Sequence, residues 1–160
     1  MKFHLDNTTE KYKIMKTALI FISLFFLSFT INAQEWHVDY TKATEEASKS
    51  NKKIILVFQG SDWCAPCIKL DRKIWSTEMF KAYAKTHFVL LKADFPRRKK
   101  NKLPKNQEEK NQLLAEKYNQ QGYFPLVVVL DKKGKVLGQL GYENIAPKRL
   151  PLAKMYAKPL

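Results

Sequence analysis

Cysteine is scarce in this chain, with two among 160 residues. Two thiols cannot staple a small fold, and they cannot alone fill a four-ligand zinc site. The three histidines, His4, His37 and His87, stand isolated and off metal-ligand spacing. His37 and His87 read as surface or strand-end residues. No Ser-His-Asp set and no pair of carboxylates stands out, so the usual hydrolase constellations lack a carrier. Acid is short as well: 15 Asp and Glu face 29 Lys and Arg, a formal charge of +14. There is no internal repeat. What remains is 45% hydrophobic and 12% aromatic, enough for a packed core in a chain of one-domain length.

The longest apolar run, Ala18–Ile31 (ALIFISLFFLSFTI), has 14 residues. A membrane-spanning helix needs about 20. Lys13 and Lys16 precede the run, and Asn32-Ala33-Gln34 follows it. A positive start, a short apolar stretch and a small residue describe a secretory signal peptide over residues 1–33. An uncleaved anchor or a buried helix is the alternative. Cleavage is expected after Ala33, and Met15 opens a more typical signal than Met1. No cysteine follows to take a lipid. Export implies an oxidising, periplasmic setting, which sharpens the meaning of any cysteine pair.

The rest, 34–160, reads as one domain. Glu35–Val38 suits a short strand. Thr41–Asn51 suits a helix with Ala43 and Ala47 on its inner face and a cap at Asp39 or Tyr40-Thr41. Lys53–Gln59 holds IILVF, a strand buried on both faces. Gly60-Ser61-Asp62 breaks it, and CAPCIKLDRKIW opens a helix with Pro66 in its first turn. Ser76-Thr77-Glu78 caps a second helical stretch running to Lys85. His87–Ala93 is a strand, Phe95–Gln107 a long basic loop, and Glu108–Asn119 a helix. Leu126–Leu130 and Lys135–Leu140 form a hairpin about Asp131–Gly134, and Ala146–Ala157 suits a last helix. Strands alternating with helices imply an α/β fold, a central mixed sheet of four to five strands flanked by helices.

One motif carries chemistry: Trp63-Cys64-Ala65-Pro66-Cys67. It sits where a buried strand feeds a helix. Helix-terminal N–H groups stabilise a thiolate there. A separation of three brings both sulfurs to one end. Cys64 should lie at the exposed tip and attack, while Cys67, one turn inward, resolves the mixed disulfide. A structural disulfide of that span would close too small a loop to stabilise much.

The string Gly60–Cys67 after the IILVF strand resembles the active site of the thioredoxin superfamily, in its exported bacterial branch. The resemblance implies a thioredoxin fold with a C-terminal hairpin. It implies a thiol–disulfide oxidoreductase with no cofactor beyond a redox-active Cys64–Cys67 disulfide and no metal. It also implies a cis bond at Phe124-Pro125, just before LVVVL, facing the cysteines. Trp63, Phe124 and Pro125 would then contact substrate, and Asp62, Ala65 and Pro66 would shape the active-site loop. Ala-Pro between the cysteines resembles the Gly-Pro of reducing thioredoxins more than the Pro-His of strong oxidants. The expected partners are disulfide-containing proteins and a membrane or periplasmic electron donor. An oxidase, an isomerase or a non-catalytic binding module on the same fold are the alternatives.

Two departures stand out. The family's buried carboxylate, which handles the proton of the second cysteine, is replaced here by Phe58. Lys92 or a water would have to serve. The second is the basic loop Phe95–Gln107. The window Lys92–Lys105 holds Lys92, Arg97, Arg98, Lys99, Lys100, Lys102 and Lys105 against Asp94 alone. That concentration is either a solvated loop or a docking site for acidic partners. One aromatic, Phe95, is too few for stacking on single strands, and export removes nucleic acid from reach, so none is expected as a partner. Asp62 reads either as a solvated residue or as a group that tunes Cys64.

Overall fold

The computed structural model describes residues 36–142. The expected signal segment and the expected helix Ala146–Ala157 lie outside the described residues. Strand β2 (Lys53–Gln59) pairs in parallel with β3 (Phe88–Asp94) and antiparallel with β4 (Leu126–Leu130). Strand β1 (Trp36–His37) adds in parallel beyond β3, and β5 (Val136–Gly141) returns from β4, giving the order β1-β3-β2-β4-β5. This is the mixed five-stranded sheet with a closing hairpin that the resemblance implies.

The continuous apolar run of β2 needs cover on both faces, and it has it. Ile54, Leu56 and Phe58 pack with Ala43 and Ala47 of α1 (Tyr40–Ser50) and with Leu114 and Tyr118 of α4 (Lys105–Tyr118). Ile55 and Val57 point the other way, since strand side chains alternate. They meet Leu70 of α2 (Ala65–Leu70), Trp75, and Phe80 and Ala84 of α3 (Glu78–His87). Each buried Ile, Leu, Val or Phe among them contributes about 1.5–3 kcal/mol relative to exposure.

Local signals set the helix ends. The Asp39 side chain accepts the Lys42 N–H at the start of α1, and Asn51 closes that helix in the left-handed region at φ 53°. Thr77 caps α3 by accepting the Phe80 N–H. The helix expected from Cys64 to Trp75 is α2 followed by a π-helical turn, Asp71–Trp75. Leu70 and Trp75 are both buried and five residues apart, a spacing that an i→i+5 turn brings to one side. The Ser76 N–H donates to the Asp71 carbonyl at 2.9 Å in that pattern.

Helix α4 begins three residues before the expected Glu108. Pro104 occupies its cap, and side chains hidden in a polar stretch anchor its first turns. The Gln107 amide donates to the Val38 carbonyl at 2.8 Å, and the buried Asn111 amide donates to the Asp94 carbonyl at 2.7 Å. The expected loop Phe95–Gln107 is shorter for it, and a 3-10 turn, Lys99–Asn101, orders its middle.

Two tyrosines tie the hairpin turn to the helices. Tyr118 Oη donates to the Gly134 carbonyl at 2.9 Å and lies 3.0 Å from Tyr40 Oη. Gly134 has φ +85°, and a Cβ there would collide with the Tyr40 hydroxyl. Burial, then the Tyr118 hydrogen bond, push the Tyr40 hydroxyl up to about 12. Its folded pKa is raised, so its contribution is complete below the unfolded value of about 10 and is lost as pH climbs toward 12. Tyr118→Phe should lower unfolding free energy by about 1–3 kcal/mol, because the buried Gly134 carbonyl loses its donor. Urea unfolding of both proteins measures this. An unchanged midpoint would remove the tyrosine pair from the account of the hairpin.

Candidate active site

The end of β2 fixes where everything else meets. Gln59 lies opposite Asp94 in the parallel ladder, and Phe58 lies opposite Leu126 in the antiparallel one. The segment after Gln59, the loop after Asp94 and the entry to β4 therefore emerge side by side.

Cys64 and Cys67 form a disulfide with Cα atoms 5.2 Å apart. Cys64 is the N-cap of α2, in extended conformation, and its Sγ accepts the Cys67 N–H at 3.2 Å. That donor is one of the orphan N–H groups of the first turn, so it favours negative charge on Cys64 sulfur. Pro66 fits the first turn, where its missing N–H costs nothing, and Ala65 is exposed. The expectation of an exposed Cys64 tip is corrected: Cys64 is 4% exposed and Cys67 3%. Position relative to the helix separates the two sulfurs, not solvent contact.

Trp63 lies against Gly60, where any Cβ would strike the indole. Its Nε1 donates to the Phe95 carbonyl at 2.7 Å. Its ring meets Phe124 edge-on at 5.4 Å, and Phe124 meets Phe95 at the same distance. The Phe124-Pro125 bond is cis, as the resemblance implies, and Pro125 is buried.

Asp62 is neither idle in solvent nor shown in contact with Cys64. One carboxylate oxygen accepts the Arg97 N–H at 2.9 Å. The other accepts the Arg98 N–H at 3.0 Å and the Asn101 amide at 2.9 Å. Asp94 does the reverse job, its two oxygens accepting the Ser61 N–H at 2.9 Å and the Ser61 hydroxyl at 2.6 Å. The Arg97 guanidinium lies over the Trp63 ring, 3.7 Å from its centroid. The loop is thus a bound rim of the cysteine site. Sequence reasoning missed Asp94, Arg97 and Asn101 as parts of it. The available signal was topological: parallel neighbours β2 and β3 end together, so the residues just beyond them must meet.

Phe58 is fully buried, so no carboxylate sits where the family has one. Lys92 does not replace it: its ammonium lies 5.2 Å from the Trp36 ring centroid, toward the β1 edge. Among the described residues no ionisable side chain hydrogen-bonds Cys67. His37 pairs with Glu46 at 2.7 Å, and His87 stacks on Tyr83, both at the surface. No group of three or more His, Cys, Asp or Glu among the described residues could hold a metal. No described helix is long and apolar enough to cross a membrane.

Residues 35–132 match the thioredoxin-like family model. The chain is 39% identical over 109 residues to the disulfide bond reductase DsbH of Chlamydia pneumoniae, covering 68% of this chain and 63% of that protein. It is 22% identical over 136 residues to the thioredoxin-related protein DsbJ of the same organism, covering 82% of this chain and 38% of that one. It therefore spans less than two thirds of either curated relative. Among solved structures, a DsbH oxidoreductase superposes with a TM-score of 0.62 at 37% identity, over 68% of this chain and 72% of the other. A disulphide isomerase from Xylella fastidiosa Temecula1 superposes at 0.51 and 24% identity, over 76% and 88%, a likeness of fold.

The Asp62 grip has a pH signature. The Arg97 N–H foremost, with the Asn101 amide and the Arg98 N–H, holds the Asp62 carboxyl below its usual range, against a smaller opposing effect of burial. A depressed folded pKa means the grip is complete above the unfolded value of about 3.9 and is lost as pH falls through the lower folded one. Backbone amide proton shifts of Arg97 and Arg98, followed by NMR, should titrate together with a midpoint under that of a free Asp. Asp62→Asn should abolish the titration. Shifts that ignore pH in the wild type would break the assignment.

Proposed function

The chain belongs to the thioredoxin-like family and has the thioredoxin fold, and on that premise we propose that it is an exported thiol–disulfide oxidoreductase that reduces protein disulfides. The observation that carries the reading is the Cys64–Cys67 pair at the start of α2, with Cys64 sulfur accepting a helix N–H. In the reduced enzyme the Cys64 thiolate attacks a substrate disulfide. One substrate thiolate leaves, and a mixed disulfide forms. Cys67, as thiolate, then attacks Cys64 sulfur, the second substrate thiolate leaves, and the intramolecular disulfide closes. Two electrons have passed from enzyme to substrate, and a dithiol donor at the membrane or in the periplasm must return them. Trp63, Phe124 and Pro125 form the surface that receives the substrate chain. No cofactor or metal enters these steps.

The direction rests on two supports: the Ala-Pro pair between the cysteines, and the likeness to a protein named a disulfide bond reductase. Residues 1–33 supply the export signal, with Gln34 the first residue of the mature protein. With Phe58 in place of a carboxylate and Lys92 turned to Trp36, a water carries the proton of the buried Cys67.

Insulin reduction should be lost in Cys64→Ser. Cys67→Ser should accumulate a mixed disulfide that resolves only on adding thiol. Equilibration with glutathione should place the pair nearer the roughly −270 mV of a reducing thioredoxin than the roughly −120 mV of a strong oxidant. A potential near the upper figure would reverse the direction and keep the exchange. Insulin turnover by Cys64→Ser would remove the mechanism itself.

A further inference from the structure

The loop's cations are left over after the loop has been anchored. Asp62 spends its oxygens on two backbone N–H groups and an amide rather than on a guanidinium. Among the described residues no carboxylate pairs with Arg97, Arg98, Lys99, Lys100 or Lys102 within 4.0 Å. Arg97 is the special case. Its backbone is fixed by Asp62, and its guanidinium face is fixed on Trp63, the residue before Cys64. A guanidinium that stacks with its face keeps its N–H edge for a second partner. Among the described residues that edge has no acceptor.

Positive charge also borders the motif along α2 and its π turn. A groove of about 260 Å³ is lined by Ala65, which lies between the two cysteines, and by Ile68, Lys69, Arg72 and Lys73. A chain approaching the motif thus meets cations from the loop and from α2 with its π turn, where the one acid, Asp71, lies 3.4 Å from the Ser76 hydroxyl.

We infer that the substrates of the Cys64–Cys67 pair carry acidic side chains beside the target disulfide, and that Arg97 is the residue that reads them. This rests on the oxidoreductase reading above and names its substrate class. A carboxylate on the substrate takes the free edge of Arg97 in a paired, two-hydrogen-bond geometry, which Lys cannot reproduce. Lys69, Arg72 and Lys73 add attraction at a distance, raising the rate of encounter more than the strength of holding. Asp62 acts through Arg97 as a positioning residue.

Three synthetic peptides test this, each closed by one disulfide and differing only in the flanking residues: Glu, Gln or Lys. The reduced full chain is mixed with each in stopped flow, and thiol release is followed. At low salt the wild type should oxidise on the order of ten times faster with the Glu peptide than with the Lys peptide, with Gln between. About 0.5 M salt should bring the ratio toward one, since the Debye length is then a few Å. Arg97→Ala should cut the low-salt ratio at least threefold, Arg97→Lys should recover only part of it, and Arg97→Glu should invert it. Asp62→Asn should lower the ratio with Arg97 still present. Equal rates for the three peptides in the wild type overturn the proposal alone. So does a ratio that survives Arg97→Ala. No reaction with any peptide overturns the oxidoreductase reading and the substrate class with it.

Discussion

The molecule depends on a strand that has no free side. Strand β2 is hydrogen-bonded along both edges, and its side chains are buried on both faces. Sliding it by one residue would send Ile54, Leu56 and Phe58 to the wrong layer, so its register is fixed. Its end is therefore a fixed point, and three segments far apart in sequence converge there. The cysteine motif continues β2 itself. The basic loop leaves from the parallel neighbour β3, and Phe124-Pro125 enters the antiparallel neighbour β4. The site is a consequence of where strands stop.

Around that point, charge is used unevenly. Two carboxylates beside the motif, Asp62 and Asp94, bind N–H and hydroxyl donors and so hold chain to chain. Neither neutralises a loop cation in an ion pair. The formal excess of +14 is thus partly expressed as unpaired positive charge at the site, rather than spread as a uniform surface character. Exposed pairs elsewhere, such as Lys81 with Glu78, are worth little in stability.

What the sequence made legible was whatever depended on side-chain pattern. IILVF foretold a strand buried on both faces, Ala43 and Ala47 foretold the inner side of α1, and WCAPC foretold the paired sulfurs at a helix start. What escaped it depended on backbone donors and distant partners. Gln107 and Asn111 start α4 early because they reach carbonyls of β1's exit and β3's end. Asp62 binds N–H groups, which every non-proline residue possesses and which therefore leave no trace in composition. The burial of Cys64 and the diversion of Lys92 to Trp36 likewise follow from tertiary packing, which spacing alone does not encode.

The Asp62 grip has a consequence for how such a protein can diversify. Its donors at 97 and 98 are main-chain groups, so the side chains there can change freely while the lock stays closed, and only proline, lacking the N–H, is barred. The cysteine pair and the cations of the basic loop are written on separate stretches of chain. They are joined by a fastening that takes only one side chain from the loop, Asn101. The charge displayed at 97 and 98 can therefore be revised one substitution at a time, with the cysteine pair left in place.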